Sequence, residues 1–573
     1  MAARLTAYVV AFIVAVTFIA GLIVGAQRDD NGPVDLIIVN GKVFTGEDDR
    51  AEAVAVQGNK VLRVGSNREI QRLARAQTTV IDARGGSVLP GFNDAHLHLL
   101  DGGLALDQVS LSEASTLESV RQTLKAWAES NPGHEWIQGR GWLYTPFPNG
   151  LPTRQLLDQI VPDRPAYLVS YDGHTGWANT AALEAAGISR RTPNPANGVI
   201  LRDARGEPTG VLKEAAMTLM SQAVPVASRE EKLAALRAAV VEANRVGITS
   251  VQNAGGTAED LELYDELRRL GDLTVRVYQA LTVEASAASE DLEALDELRT
   301  RFADDPLLKT GAVKIVADGV VETRTAAMLE PYEGTASAGE LRLTPEDMTR
   351  LVAELDGRGW QVMTHAIGDA AIRETLDAYE HARKVHAAPA DGRRHRIEHV
   401  ESPDPEDVAR FEDLDVVASV QPVHGVPPDP DDPWAANLGP KRAARGWMSG
   451  TLARAGTPIA FGSDWPVAPL DPLRGIFVAV NRTDFEGEPD GGWEPEEKLT
   501  LADAIRAFTS GAAWASFDEQ RKGTLARDML ADIVILSEDL FALPPERLLE
   551  AEVVMTIVDG KVVYRRDVVD TDR

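Results

Sequence analysis

The amino-acid sequence predicts an α/β fold, a (β/α)8 TIM-type barrel, from three observations. Short apolar strands alternate with helical patterns through the middle of the chain. The strands number eight: the first ends near His98, and the others lie at residues 247–253, 275–281, 312–318, 361–365, 396–400, 416–421 and 458–463. Polar side chains stand at the ends of several of these strands, where a barrel carries its active site. A doubly wound parallel sheet is the alternative arrangement.

Residues 1–28 predict an N-terminal transmembrane anchor or signal peptide. No charged residue lies between Leu5 and Ala26, and a helix of about 22 residues would span roughly 33 Å, enough for a hydrocarbon core of about 30 Å. The apolar run exceeds the core of about 7–15 residues found in signal peptides, which favours a retained anchor over a cleaved signal. The flanking charges favour an extracytoplasmic position for the rest of the chain. We therefore expect an exported protein, membrane-anchored on the periplasmic or extracellular side, or secreted after cleavage.

The two ends of the remaining chain predict one composite domain. Residues 34–89 contain short strands around turns such as Asn40-Gly41, and residues 520–566 repeat this pattern. Neither piece is large enough to bury a sheet by itself, so we expect both to form a single small β-sandwich. Two separate hairpins are the alternative, but they would leave more apolar strand edge exposed.

The barrel would then extend over residues 90–519. The segment at about residues 100–226 is too long for a barrel loop, which predicts an inserted lid or substrate subdomain. Trp142 and Trp177 in this segment are candidates for a substrate pocket. Aromatic side chains in a subdomain nevertheless belong more often to its core.

The composition limits the chemistry that the chain can perform. Its formal net charge of -30, from 58 basic and 88 acidic residues, argues against nucleic acid as a partner. The absence of cysteine excludes disulfides, zinc–thiolate sites and cysteine nucleophiles. A metal site must therefore use histidine, carboxylates or a modified lysine. The expected partners are a small-molecule substrate and, if the N-terminal helix is retained, a membrane; a homo-oligomer remains an option.

His96 and His98 form the first candidate metal site. Side chains alternate between the two faces of a β-strand, so residues two apart point the same way. Two imidazoles at the end of one strand suit a shared divalent metal ion. Such a pair can equally be two histidines on an exposed face, so the interpretation depends on further ligands elsewhere in the chain.

Later strand ends supply those further ligands. Lys314 lies in an otherwise apolar strand, and His365 and His399 end the next two strands. Asp464 follows the last strand. Any one of these residues alone is more readily explained as structural. Their recurrence at separate strand ends of one barrel predicts a metal site.

The sequence around these residues resembles the amidohydrolase superfamily of metal-dependent hydrolases. Within it, the chain looks like the YtcJ-like branch, which includes N-substituted formamide deformylase. The resemblance extends from about residue 35 to residue 563. It rests on motifs at residues 90–98, 172–179, 316–319, 364–369, 396–399 and 462–466. The family implies a distorted barrel flanked by a β-sandwich that both chain ends form.

The resemblance implies a metal centre built from six side chains: His96, His98, Lys314, His365, His399 and Asp464. The first two histidines and the aspartate would bind one ion, and the other two histidines a second. Lys314 matches a position that is carboxylated in binuclear members and bridges both ions, since an unmodified ammonium has no lone pair. Two ions are therefore expected, and a mononuclear site beside a salt-bridging lysine is the alternative. Imidazole and oxygen donors favour zinc, with iron, manganese and nickel as alternatives.

The resemblance also implies catalytic roles. Metal-activated hydroxide would attack a carbonyl group, while Asp464 would take the proton and return it to the leaving nitrogen. His174, in the inserted segment, is the candidate for contact with the carbonyl or oxyanion. Asp318, Arg324 and His424 are weaker candidates for the substrate pocket.

These features predict a metal-dependent hydrolase that cleaves a carbon–nitrogen bond other than a peptide bond, in an N-formyl or N-acyl amide of a small molecule. A cyclic amidase or a deaminase on the same metal site is one alternative, because the fold does not choose the substrate. A metal-binding surface protein without catalysis is another. Asp464 argues against the latter, since a structural site needs no base beside an open coordination position.

Overall fold

The computed structural model describes residues 33–47, 49–303, 305–427 and 432–566. The predicted anchor or signal helix at residues 1–28 lies outside this part of the chain. Within the described residues, none of the helices combines the length and the apolar character that a membrane crossing needs. Anchoring and export therefore remain predictions from the sequence.

Eight parallel strands form one sheet that nearly closes into a barrel, and each strand pairs with the next one along the chain. The barrel strands, numbered 1 to 8 in chain order, are Phe92–Leu97, Ile248–Asn253, Arg276–Thr282, Leu308–Val316, Gln361–Ala366, Arg396–His399, Val417–Val420 and Ile459–Phe461. This arrangement confirms the predicted TIM-type barrel. Every predicted strand overlaps an observed one.

Backbone contacts beyond barrel strand 8 bring it against barrel strand 1. The Asp464 N–H donates to the His96 carbonyl at 2.6 Å, and the His98 N–H donates to the Trp465 carbonyl at 2.8 Å. Gly462 permits this approach, because a Cβ atom there would lie 2.4 Å from the His96 backbone nitrogen. The contacts bring residues that follow the last strand next to the histidines of the first.

Helices surround the barrel and complete the α/β alternation. The helix Arg229–Arg245 begins with a capping box: the Ser228 hydroxyl accepts from the Glu231 N–H at 3.2 Å, and the Glu231 carboxylate accepts from the Ser228 N–H at 2.7 Å. The barrel's α-helices are Leu99–Ala105, Arg229–Arg245, Ala258–Leu270, Ser289–Arg301, Pro345–Gly357, Asp369–Val385, Val408–Asp413, Pro433–Leu438, Pro440–Ala443, Ser449–Arg454, Pro472–Asn481, Leu501–Arg506 and Ala512–Ala515. A π-helix at Ala507–Gly511 and short 3-10 helices at Pro422–Gly425 and Pro495–Glu497 complete this part.

Both ends of the described chain contribute to two further sheets. One sheet consists, in spatial order, of Lys60–Gly65, Ala53–Gln57, Leu36–Val39 and Thr79–Asp82; the other consists of Lys561–Arg565, Val553–Val558, Ile533–Leu536, Ser87–Pro90, Lys42–Phe44 and Arg50–Ala51. The helix Asn67–Gln71 and the 3-10 helix Pro545–Glu550 connect strands here. Ile38 and Val56 of one sheet share a buried core with Val88 and Ile533 of the other. Early and late parts of the chain therefore share this core.

A six-stranded sheet lies between barrel strands 1 and 2 in the chain. Its strands, in spatial order, are Gly198–Arg202, Pro208–Glu214, Thr175–Ala178, Ala166–Ser170, Ile137–Trp142 and Val109–Ser110. Its helices are Leu117–Ser130, Arg154–Ile160, Thr180–Ala185 and Thr218–Ser221, with 3-10 helices at Pro148–Gly150 and Ala215–Met217. This sheet and its helices form the inserted subdomain.

The assignment of Trp142 and Trp177 to a substrate pocket is wrong. Both side chains are fully buried in the core of the inserted subdomain. The Trp142 indole N–H donates to the Leu168 carbonyl at 3.1 Å, and that of Trp177 donates to the Thr153 carbonyl at 2.9 Å. The two tryptophans stabilise the subdomain internally and do not line the large cavity described below.

A buried ion pair connects the barrel to the sheets from the chain ends. Arg276, in barrel strand 3, donates two hydrogen bonds to the Asp532 carboxylate, at 2.6 and 2.9 Å, and one to Asp559 at 3.0 Å. Both Arg276 and Asp532 are almost fully buried. Removing one partner would leave a buried charge without compensation.

We expect Arg276→Met to lower the free energy of unfolding by about 3–5 kcal/mol, because the Asp532 carboxylate would stay buried and lose its guanidinium. Chemical denaturation followed by fluorescence measures this change. The matched control is Arg237→Met, whose pair with Asp272 is half exposed and should cost less than about 1 kcal/mol. Equal effects of the two substitutions would show that the buried pair does not stabilise this junction.

Candidate metal centre and active-site cavity

The six side chains predicted to bind metal all line one cavity of about 880 Å³ at the C-terminal ends of the barrel strands. They come from barrel strands 1, 4, 5 and 6 and from the segment after strand 8: His96, His98, Lys314, His365, His399 and Asp464. The inserted subdomain contributes Tyr144 and His174 to the same cavity. The polar strand ends therefore converge as a barrel requires.

The Asp464 carboxylate lies among four imidazoles. Its Oδ1 atom is 3.3 Å from His98 Nε2 and 3.5 Å from His96 Nε2. Its Oδ2 atom is 3.9 Å from His399 Nδ1 and 3.9 Å from His424 Nε2. One ligand atom each from His96, His399 and Asp464 lies within 4.8 Å of the other two, a spacing that suits a shared metal ion.

Four atoms of this cluster are buried without a hydrogen-bond partner among the described residues: His96 Nε2, His399 Nδ1, His424 Nε2 and Asp464 Oδ1. Buried polar atoms are rarely left unpaired in proteins, so the cluster indicates a ligand. Burial lowers the pKa of His96 to about 4 and that of His399 well below its ordinary value. Both imidazoles are then neutral and offer lone pairs, and together with the carboxylate they fit a divalent metal ion.

His365 and Lys314 complete the predicted ligand set less directly. The His365 ring centroid is 4.5 Å from that of His399, but His365 Nε2 lies 3.2 Å from the Gly319 carbonyl. Lys314 is almost fully buried, and burial lowers the pKa of its amine. The compact cluster contains His96 and Asp464, which were predicted to bind one ion, and His399, which was predicted to bind the other. The division of the ligands between two ions remains a prediction.

A buried ion pair positions His96. The Glu398 Oε2 atom lies 2.5 Å from His96 Nδ1, and Glu398 accepts two hydrogen bonds from Arg396 at 2.8 and 3.0 Å. Arg396 also donates to the Ala95 carbonyl at 2.6 Å and to the Ser419 hydroxyl at 2.8 Å. With Nδ1 paired to Glu398, His96 presents the Nε2 lone pair to Asp464, as metal-binding histidines commonly do.

Sequence reasoning did not assign a role to Arg396 or Glu398. A signal was nevertheless present, because the two residues alternate in a strand whose four residues are all buried and therefore share one face. Two opposite charges on one face of a buried strand predict an internal ion pair.

His174, the candidate for contact with the carbonyl or oxyanion, lies in the cavity. Its Nδ1 atom is 3.0 Å from Glu214 Oε2, and Glu214 Oε1 accepts from the hydroxyls of Thr323 at 2.7 Å and Thr325 at 3.0 Å. Burial by itself would lower the pKa of His174, but the hydrogen bond and charge of Glu214 raise it above its ordinary value. His174 is therefore held as a proton-bearing group at the cavity wall.

Two of the weaker pocket candidates do not line this cavity, so those assignments are wrong. Asp318 is fully buried. Its carboxylate accepts hydrogen bonds from the backbone N–H groups of Ala327 and Gly368, both at 2.9 Å. These bonds stabilise the loops after barrel strands 4 and 5. Arg324 is exposed and donates to Asn437 at 2.7 Å. His424 does line the cavity.

Comparison with known proteins identifies the family. Residues 79–564 match the amidohydrolase family. The chain belongs to this family. It is 34% identical over 537 residues to the putative amidohydrolase YtcJ of Bacillus subtilis (strain 168), a match that covers 91% of this chain and 97% of that protein. It is 29% identical over 550 residues to N-substituted formamide deformylase of Arthrobacter pascens, covering 93% and 98%.

A solved structure supports the same conclusion. An uncharacterized metal-dependent hydrolase from Pyrococcus furiosus matches this amidohydrolase with a TM-score of 0.68 and 26% sequence identity, covering 88% of this chain and 99% of that one. The predicted resemblance is confirmed, and the chain is a metal-dependent hydrolase of the amidohydrolase superfamily.

We expect Glu398→Gln in this amidohydrolase to weaken metal binding by roughly 10–100-fold, because the orienting carboxylate of His96 loses its charge. Equilibrium dialysis against a graded chelator, followed by metal quantification, measures the affinity. Circular dichroism checks that the variant is folded. The control is Glu293→Gln, an exposed position. Unchanged metal affinity in the folded Glu398 variant would contradict the positioning role.

Proposed function

We propose that this amidohydrolase cleaves a carbon–nitrogen bond outside peptides, in an N-formyl or N-acyl amide of a small molecule. The observation that carries the proposal is the Asp464 carboxylate, buried among imidazoles with Oδ1 unpaired, at the floor of a large cavity. Such a carboxylate can accept a proton from water and deliver it to a leaving nitrogen. The similarity to a deformylase of N-substituted formamides supports the choice of an amide bond.

The residues around Asp464, at the floor of the cavity, have different roles in the proposed reaction. His96, His98 and Asp464 would hold one divalent metal ion, and His365 and His399 would hold a second. When bound, these ions supply Lewis-acid chemistry, which acidifies water and polarises a carbonyl group. Asp464 would remove the proton of the attacking water and protonate the leaving amine. His174, held protonated by Glu214, would donate a hydrogen bond to the developing oxyanion.

We further propose two zinc ions bridged by carboxylated Lys314, with His365 and His399 at the second position. Burial of Lys314 lowers the pKa of its amine, and the neutral amine is the form that can react with carbon dioxide. We expect about two zinc equivalents per chain after gentle purification with bicarbonate present. Fewer than about one equivalent, measured by plasma mass spectrometry, would contradict the binuclear arrangement and favour the mononuclear alternative.

The test of the proposed function is an activity screen of the purified, metal-loaded enzyme on N-formyl amides, N-acyl amides, cyclic amides and amino-substituted heterocycles. We expect release of an amine from the first two classes. Turnover of cyclic amides alone, or ammonia release alone, would replace the proposal with a cyclic amidase or a deaminase. A metal-loaded enzyme without turnover on any class would favour a metal-binding protein that lacks catalysis.

We expect Asp464→Asn to reduce turnover by roughly 10²–10⁴-fold, because the amide side chain cannot act as a general base. Metal content measured on the same sample should stay substantial, since the histidines remain. Asp377→Asn, at an exposed carboxylate on the barrel surface, controls for the loss of one negative charge. Undiminished turnover in the Asp464 variant would show that another group is the base.

The cellular location rests on the sequence alone. We propose that the N-terminal apolar segment exports the enzyme and holds it on the extracytoplasmic face of a membrane, with secretion as the outcome if the segment is cleaved.

A further inference from the structure

One side of the cavity has a composition that the proposed hydrolysis does not use. Two carboxyl groups and three aromatic side chains form this side, which we call the acidic wall: Glu322, Glu401, Tyr171, Trp434 and Trp447. They come from the loop after barrel strand 4, the loop after strand 6, the inserted subdomain and the helical segment after strand 7. Separate parts of the chain therefore converge to build it.

The acidic wall is held together by direct contacts. The Trp434 indole N–H donates to Glu401 Oε2 at 2.9 Å, and the Trp447 backbone N–H donates to the Glu401 carbonyl at 2.8 Å. The rings of Trp434 and Trp447 stack with centroids 4.7 Å apart. The Tyr171 hydroxyl lies 3.5 Å from Glu322 Oε1. Glu401, Trp434 and Trp447 are at least nine-tenths buried, so these side chains have few alternative positions.

Within the described part of the chain, no lysine or arginine forms an ion pair with the carboxyl groups of the acidic wall, and the positive charge that acts on Glu401 is that of His174. Burial and the neighbouring Glu401 carboxyl raise the pKa of Glu322 well above its ordinary value. Holding both carboxyl groups ionised in this desolvated space is therefore costly, and a cation bound between them would relieve that cost.

A buried polar atom of the acidic wall itself lacks a partner: the Trp447 indole N–H has no hydrogen-bond partner among the described residues, and Trp447 lines the cavity. The unpaired Asp464 Oδ1 and His399 Nδ1 atoms lie at the floor of the same cavity, where they fit the metal ion. Glu401 follows His399 by two positions, so the acidic wall adjoins this floor. The volume of about 880 Å³ is far larger than one formyl group needs and lies in the range of sites for whole small molecules.

We propose that the acidic wall binds an ammonium group of the substrate, so that the amide hydrolysed at Asp464 belongs to an amine-bearing, positively charged molecule. An ammonium offers three N–H donors to carboxylates, and indole faces attract cations. A substrate carrying a carboxylate or phosphate would be repelled by the same wall. This inference rests on the proposed function for the position of the amide, but the binding of the cation can be measured without turnover.

The first experiment measures binding to the full-length, metal-loaded enzyme by titration calorimetry. The probes are hexylammonium and hexanol, which share a chain length and differ in charge. We expect hexylammonium to bind roughly tenfold or more tightly than hexanol, and Glu322→Gln to remove most of that preference. The matched control is Glu297→Gln, an exposed carboxylate on helix Ser289–Arg301. Equal affinities, no ammonium binding, or a preference that survives in Glu322→Gln would overturn the proposal.

The second experiment separates this proposal from the proposed function. N-(aminohexyl)formamide and N-hexylformamide are compared as substrates of the wild-type enzyme, Glu322→Gln and Glu297→Gln. We expect the wild-type and Glu297→Gln ratio of kcat/KM to favour the charged substrate roughly tenfold or more, mainly through KM, and Glu322→Gln to lower that ratio. Hydrolysis of both formamides at equal rates would overturn the proposal that the acidic wall binds an ammonium group, while the proposed amidase activity would stand. If neither formamide is hydrolysed, the proposed amidase activity fails for formamides. The calorimetry alone then decides whether the acidic wall binds an ammonium group.

Discussion

The contact between the two ends of the barrel sheet is the constraint on which the site depends. The Ser463 N–H donates to the Asp94 carboxylate at 3.0 Å across 369 residues of sequence, and Asp464 and His96 are joined through their backbones. Gly462 makes the approach possible, since a side chain there would collide with His96. A barrel that failed to close would separate Asp464 from its imidazole neighbours, and the proposed proton acceptor would then be lost.

The interior of the barrel contains a buried charged residue that is stabilised by a partner of opposite charge. Glu398 would be costly in isolation, but Arg396 neutralises it with two hydrogen bonds, and the carboxylate in turn orients His96. Burial lowers the pKa of His96 and of His399, so these two imidazoles are neutral and offer lone pairs. The buried ion pair thus positions His96, and the unpaired atoms of His96, His399 and Asp464 lie close enough together to fit a metal ion.

The cavity above this floor is a composite surface. The inserted subdomain brings His174 and Tyr171, while loops that follow different barrel strands bring Glu322, Glu401 and Trp434. Barrel enzymes commonly vary their loops while keeping the strand ends, which separates the chemistry from the choice of substrate. The metal-binding floor and the acidic wall of this amidohydrolase follow that division.

The sequence by itself determined the barrel and the residues that reach its strand ends, because strand alternation and apolar periodicity are local properties. His96 and His98 share one face for that reason, and closure of the barrel then brings Asp464 beside them. Only the tertiary structure decided which loop side chains face the cavity. Asp318 turns inward to cap backbone N–H groups of another loop, and Trp142 packs within its own subdomain. Glu322 and Glu401 become neighbours only through folding, since loops take their direction from contacts with distant parts of the chain.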